Sequence, residues 1–153
     1  MDIFLADEQH VPLSTEPLRR LAQLVLEEEG LPIETEVAIL FVTNDQIADY
    51  NRRFMDSEGP TDVLAFPLER LQPGVVPSHE RGAPLGLGDV IISPSYVHAQ
   101  ANDRHTTPEM ELQLMVAHGL LHLLGYDHGT QAEAEYMESR ERELLAKVGV
   151  ERR

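Results

Sequence analysis

The chain has 153 residues, 42% of them hydrophobic, which is enough for one well-filled core and short for two, so a single domain over residues 1–153 is expected. It has no cysteine, which excludes disulfides and thiolate ligation and leaves His, Asp and Glu for any transition-metal site. Twelve basic against 27 acidic residues give a formal net charge of −15, which argues against broad, nonspecific nucleic-acid binding and leaves room for a local basic patch only.

The opening MDIFLADEQH is acidic where a secretory signal peptide carries a basic region, and the longest clean apolar run, VAILFV at 37–42, is strand-sized. A soluble, cytoplasmic protein with no membrane partner is expected. DIFLA reads as a first strand. STEPLRRLAQLVLEEEG follows as a helix, with Ser14 or Thr15 as N-cap, leucines at helical period and Gly30 as its stop. A buried strand is predicted over 36–43, and Thr43 with Gln46 forms a capping-box pattern that opens a helix to about Phe54. TDVLAFP at 61–67 is a third strand, ended by Pro67.

Gln72 to Pro84 is rich in Pro and Gly and reads as an exposed loop that interrupts the domain without dividing it. A fourth strand covers 86–92 with Ser93, and Ser93-Pro94 caps a helix to about Asp103. Thr107-Pro108-Glu109 starts the next helix, whose MELQLMVAHGLLHLLG is apolar on almost every side and is therefore expected to be central and buried. A charged amphipathic helix from about Ala132 to Val148 ends the fold. Strands and helices mix without strict alternation, so the expected class is α+β: one four-stranded mixed sheet packed with about five helices.

HGLLHLLGYDH at 118–128 holds three of the seven histidines. His118 and His122 stand four apart on the buried helix, hence on one face with Cβ atoms about 6 Å apart. Gly125 suits a helix C-cap, since it accepts the left-handed conformation, and the chain can then turn back to present His128. A single histidine on an apolar helix face is more often an ordinary core residue. Three at this spacing are better explained by one divalent metal per chain, because burying several imidazoles without partners is costly. Three protein ligands leave a fourth position open, which is the mark of a catalytic zinc, although three imidazoles also accept nickel, copper or iron.

The segment overlays the metzincin protease pattern HExxHxxGxxH at both histidine spacings and at the glycine. Gly119 stands where that pattern has its glutamate base, so a peptidase of that type is not expected, whereas metal-assisted hydrolysis of another bond class is compatible.

HGLLHLLGYDH, with TDVLAFP and LGDVIIS upstream and the acidic helix containing Met137 and Glu138 downstream, closely resembles the YbeY family of bacterial endoribonucleases. The likeness covers nearly the whole chain. It implies a single-strand-specific, metal-dependent endoribonuclease acting in ribosomal RNA (16S 3′ end) maturation and ribosome quality control, with zinc at His118, His122 and His128, which are also the catalytic centre. Ribosomal RNA, the ribosome and ribosome-associated proteins are the implied partners, and no DNA is expected. The resemblance also implies an arginine facing substrate before the third strand. Aligned on Asn51 and Pro60-Thr61, that position is Met55, which leaves Arg52 and Arg53, adjacent on a predicted helix, as substrate-binding candidates; one is expected to face the cleft and the other solvent, with Arg104 a weaker third. Ala65 stands where the family has serine.

Asp127 could orient a ligand imidazole or close its turn, with the turn favoured. Asp62 and Asp89 read as strand-end caps, either of which could face the metal cleft. Met137 reads as core filler, with a place beneath the metal as the alternative. EAEYMESRERE reads as a solvated helix face with Glu–Arg pairs four apart, and His10, His79, His98 and His105 carry no ligand spacing. Two rivals to the nuclease are a ribosome-assembly or protein-binding factor with a mainly structural metal, which the acidic charge suits, and a metallopeptidase, which Gly119 disfavours.

Overall fold

The computed structural model describes residues 1–152. β1 (Asp2–Asp7) leads into α1 (Thr15–Glu28), which crosses over to β2 (Thr35–Phe41), laid parallel to β1 with Asp2 opposite Glu36 and Asp7 opposite Phe41. Parallel neighbours cannot be joined by a tight turn, and α1 supplies the crossover. Its Leu18, Leu21, Ala22, Val25 and Leu26 recur at helical spacing and are buried as one stripe. Ser14 occupies the N-cap position by backbone conformation, without a side-chain capping bond.

β2 stops at Phe41, short of the predicted strand end at 43. The reason is the capping box itself. The Thr43 side chain accepts from the Gln46 N–H while Gln46 accepts from the Thr43 N–H, so Thr43 belongs to the start of α2 (Asn44–Met55). β3 (Val63–Pro67) pairs antiparallel with β4 (Leu85–Ile92), and β4 lies parallel to β2, giving the order β1-β2-β4-β3. The sheet is four-stranded and mixed, and β3 is an edge strand.

α3 (Pro94–Asp103) and α4 (Pro108–Leu123) each begin on a capping hydroxyl, Ser93 and Thr107, with proline in the first turn. α5 (Gln131–Ala146) starts with a second capping box, Thr130 and Glu133, and ends before Val148. The main core lies between one sheet face and α1, α4 and α5, where Val25, Ile39, Val90, Leu120, Leu121, Met137 and Leu144 meet. On the other face α2 packs Ile47 over Val42, Leu64 and Ile91 and leaves Phe4 and Leu68 exposed. The class is α+β in a single domain, with α4 at its centre.

Candidate metal centre

α4 is buried on nearly every side, and only its last two turns open toward a cavity. His118 and His122, one turn apart, present rings 4.7 Å apart and nearly perpendicular. The helix then ends in a Schellman arrangement: Gly125 N–H donates to the His122 carbonyl at 3.1 Å and Tyr126 N–H to the Leu121 carbonyl at 3.0 Å. Gly125 has φ +99°, and a Cβ there would lie 2.1 Å from the Leu71 carbonyl oxygen, so both conformation and space demand glycine.

Tyr126 anchors the returning chain. It is buried and hydrogen-bonded to Glu29; burial, then that carboxylate, push its phenol well above the usual range. Glu29 also accepts from Arg140 Nε at 2.8 Å, which ties this turn to α5. Asp127 accepts from the His128 N–H at 2.8 Å and thereby closes the turn, the favoured of its two readings. His128 is thus carried back to rings 4.9 Å from His122 and 5.5 Å from His118.

One ligand nitrogen from each of the three histidines lies within 4.8 Å of the others. The set is all-imidazole, which suits zinc and its late first-row neighbours. The His122 pKa is held below 6.5, first by burial and then by the neighbouring histidines, which favours the neutral form that ligates a metal.

Glu141 completes the centre, and the sequence reading missed it. Its carboxylate is fully buried, with Oε2 2.6 Å from His118 Nδ1 and Oε1 2.7 Å from Arg152 Nε. Burial raises the Glu141 pKa, but the hydrogen bonds and charges of His118 and Arg152 outweigh it and bring the carboxyl below its ordinary value. An ionised carboxylate only accepts, so His118 Nδ1 carries the proton and Nε2 keeps the free lone pair. EAEYMESRERE is therefore not wholly a solvated face. Met137, Glu141, Leu144 and Leu145 form its buried stripe. Met137 is core packing within that stripe.

Gly119 has a positive reason to lack a side chain. A Cβ there would lie 2.5 Å from Val90 Cγ1 and 3.2 Å from Val63 Cγ2, so glycine lets α4 lie directly on β3 and β4. The histidines open onto a cavity of about 510 Å³, within the usual range for small-molecule pockets, walled on the far side by Thr61 and Asp62, by β3 and by Met55. Asp62 lines it, with Oδ1 accepting from the Val63 N–H and the Thr61 hydroxyl, so it caps the strand and faces the cavity at once. Asp89 is exposed on the opposite sheet face, away from the histidines. Ala65 and Met55 are both cavity wall. Arg52 and Arg53 are exposed and both pair with Asp49, and neither lines the cavity. Arg104 pairs with the buried Glu111 at 3.5 Å.

Residues 4–149 match the family profile described as Endoribonuclease YbeY. Among proteins of that name, one from Lysinibacillus sphaericus is 41% identical over 138 residues, covering 90% of this chain and 88% of its own. One from Thermobifida fusca is 40% identical over 146 residues, covering 95% and 93%. A Thermotoga maritima protein solved in solution superposes with a TM-score of 0.62 at 26% identity, covering 95% of this chain and 91% of that one.

Proposed function

Because the chain belongs to the YbeY family of endoribonucleases, we propose that it is a zinc-dependent hydrolase of single-stranded segments of ribosomal RNA, with His118, His122 and His128 as its metal ligands and catalytic centre. It acts in the cytoplasm on the 3′ end of 16S RNA, in maturation and ribosome quality control. The described residues, 1–152, form this one catalytic domain. The observation that carries the reading is the convergence of three imidazole nitrogens within 4.8 Å on the wall of an open cavity. Structural zinc sites are closed by four protein ligands, whereas three ligands beside a cavity suit catalysis. This favours the nuclease over an assembly factor with a structural metal.

A zinc ion held there supplies Lewis-acid polarisation of a phosphate oxygen and activation of water near neutral pH. The protein's own residues do the rest. Glu141 keeps the proton of His118 on Nδ1, and its pairing with Arg152 holds the carboxylate in place. Gly119 leaves the position beside the histidines without a side-chain base, and Val90 and Val63 fill the space behind it. The edge of β3 and Met55 shape the wall against which the substrate lies.

Phosphate contact falls to Arg52 or Arg53. Both are engaged with Asp49 on the exposed side of α2, where water screens the ion pairs, so Asp49 is readily exchanged for a phosphate. The acidic surface suits basic ribosomal proteins, which would bring the RNA to so negatively charged an enzyme.

The test is digestion of single-stranded RNA, double-stranded RNA and casein by metal-replete and chelated protein, with a His122→Ala control. Cleavage of single-stranded RNA alone, abolished by chelation and by the substitution, is expected. Equal cleavage by chelated protein and by His122→Ala would overturn the reading.

A further inference from the structure

Phe54 is 58% exposed on the last turn of α2, an expensive position for an aromatic ring with no packing duty toward solvent. It does not stand alone. Its ring lies 5.6 Å from Phe66 in an edge arrangement and 6.1 Å from Tyr50, stacked at 28°, and the Arg53 guanidinium sits 5.5 Å from its centroid. The cluster adjoins the metal cavity across the edge strand β3, since Met55, which follows Phe54, is cavity wall, and so are Ala65 and Pro67, which alternate with Phe66 to the opposite face of that strand. We propose that Phe54, backed by Tyr50 and Phe66, is a stacking subsite for one base of a single-stranded RNA whose scissile phosphate lies at the histidine centre. The inference rests on the nuclease reading above and adds to it the place where an unpaired base is held.

Three observations favour a nucleobase as the occupant. The Arg53 guanidinium lies over the exposed Phe54 ring on a flexible, solvent-facing side chain, which can swing aside to leave the π face to a base while its charge stays close by, the combination that holds bases irrespective of their identity. Tyr50 and Phe66 support the Phe54 ring from behind, so little side-chain entropy is lost when a base lands on it. The groove under the platform is lined by Glu8, Asp45 and Asp49 with Arg53 as its one cation among the described residues, a net negative lining that an uncharged base meets at less cost than a phosphate, for which Arg53 is the partner there. The base therefore sits on the ring while the sugar–phosphate chain runs along the Met55 side toward the cavity. By contrast Phe4 and Leu68, also exposed, lie on the open sheet face among Asp2, Glu36 and Asp89, with no arginine lining that pocket. That face provides a control.

Stacking also explains a preference for single strands. A paired base is already stacked within its helix and cannot leave it for Phe54 without losing those contacts, whereas a base in a loop or tail is free to do so.

The test uses a short 2′-O-methyl oligoribonucleotide, which resists cleavage, carrying 2-aminopurine at one position in turn and titrated into the metal-replete protein. Wild type is expected to quench the fluorophore at one position. Phe54→Ala should lose the quench and weaken binding roughly tenfold or more, the scale of one base–aromatic stack. Phe54→Tyr should restore both, and Phe4→Ala should behave as wild type. Unaltered thermal melting of Phe54→Ala, expected from the exposure of the ring, separates this effect from a folding defect. Wild-type quench and affinity in Phe54→Ala would overturn the subsite while leaving the nuclease reading intact. Failure of the wild-type protein both to bind the oligonucleotide and to cut unmodified single-stranded RNA would overturn both.

Discussion

Replacing Glu141 with alanine is expected to weaken metal binding by about 10- to 100-fold without touching a ligand, the usual cost of losing the carboxylate behind a ligating histidine. The structure sets the scale. Oε2 lies 2.6 Å from His118 Nδ1 in a fully buried site, a hydrogen bond to a charged group worth about 1.5–3 kcal/mol, and every 1.4 kcal/mol is about tenfold in affinity. Without the carboxylate, the proton of His118 is free to occupy either ring nitrogen, and part of the population presents the protonated one to the metal. Glu141→Gln keeps the shape and an acceptor oxygen but not the charge, so its loss should be smaller, about tenfold. The assay is competition between each variant and a chromophoric chelator for zinc, read beside thermal melting of the metal-free forms. Wild-type zinc affinity in a folded Glu141→Ala protein would refute the reasoning.

Further substitutions and conditions test other parts of the account. Gly119→Ala places a methyl 2.5 Å from the Val90 side chain, and overpacking of about 1–3 kcal/mol, offset by up to about 1 kcal/mol of helix propensity, should show as a lower urea midpoint. Gly125→Ala should cost more than Gly119→Ala in the same measurement, because it forces φ +99° on a residue with a Cβ and drives that atom into the Leu71 carbonyl. The metal-free protein should lose stability as pH falls. The folded pKa of His122 lies below 6.5 and that of Glu141 below 4.5, so the unfolded chain binds more protons in the windows just under each value, and the stability present above them is lost as pH drops through the folded pKa values. Urea midpoints from pH 7 to pH 4 check this, and a flat profile would contradict it. No zinc-dependent cleavage of casein is expected at neutral pH from wild type or from Gly119→Glu, which adds bulk against Val90 rather than a positioned base.

Much of this was legible in the sequence because the relevant signals are local. The capping box at Thr43, the proline starts of α3 and α4, and the glycine after His122 each announce a helix end within a few residues. The apolar stripe of α1 and the nearly all-apolar α4 set their burial directly. The spacing of His118, His122 and His128 needs one helical turn and one C-cap to make a cluster, and no distant part of the chain is required. Glu141 was not legible in the same way. It lies 23 residues beyond His118 on a helix so rich in charge that a solvated face was the natural reading, and only the spacing of Met137, Glu141, Leu144 and Leu145 hinted that this glutamate sits in an apolar stripe. Gly119 carried two meanings that sequence could not separate. The absence of a base is visible in the letters, whereas the contact with Val90 exists only once α4 is laid on the sheet. Asp62 and Asp89 looked alike as strand-end carboxylates, and their faces differ because one precedes the edge strand beside the cavity and the other lies within a central strand on the outer face.

The central claim is that three histidines make one metal site, and counting metal on the chain tests it most directly. Native mass spectrometry of the purified protein after equilibration with zinc should show one ion per chain in wild type and none retained in His118→Ala or His128→Ala. Full occupancy in both variants would contradict the account.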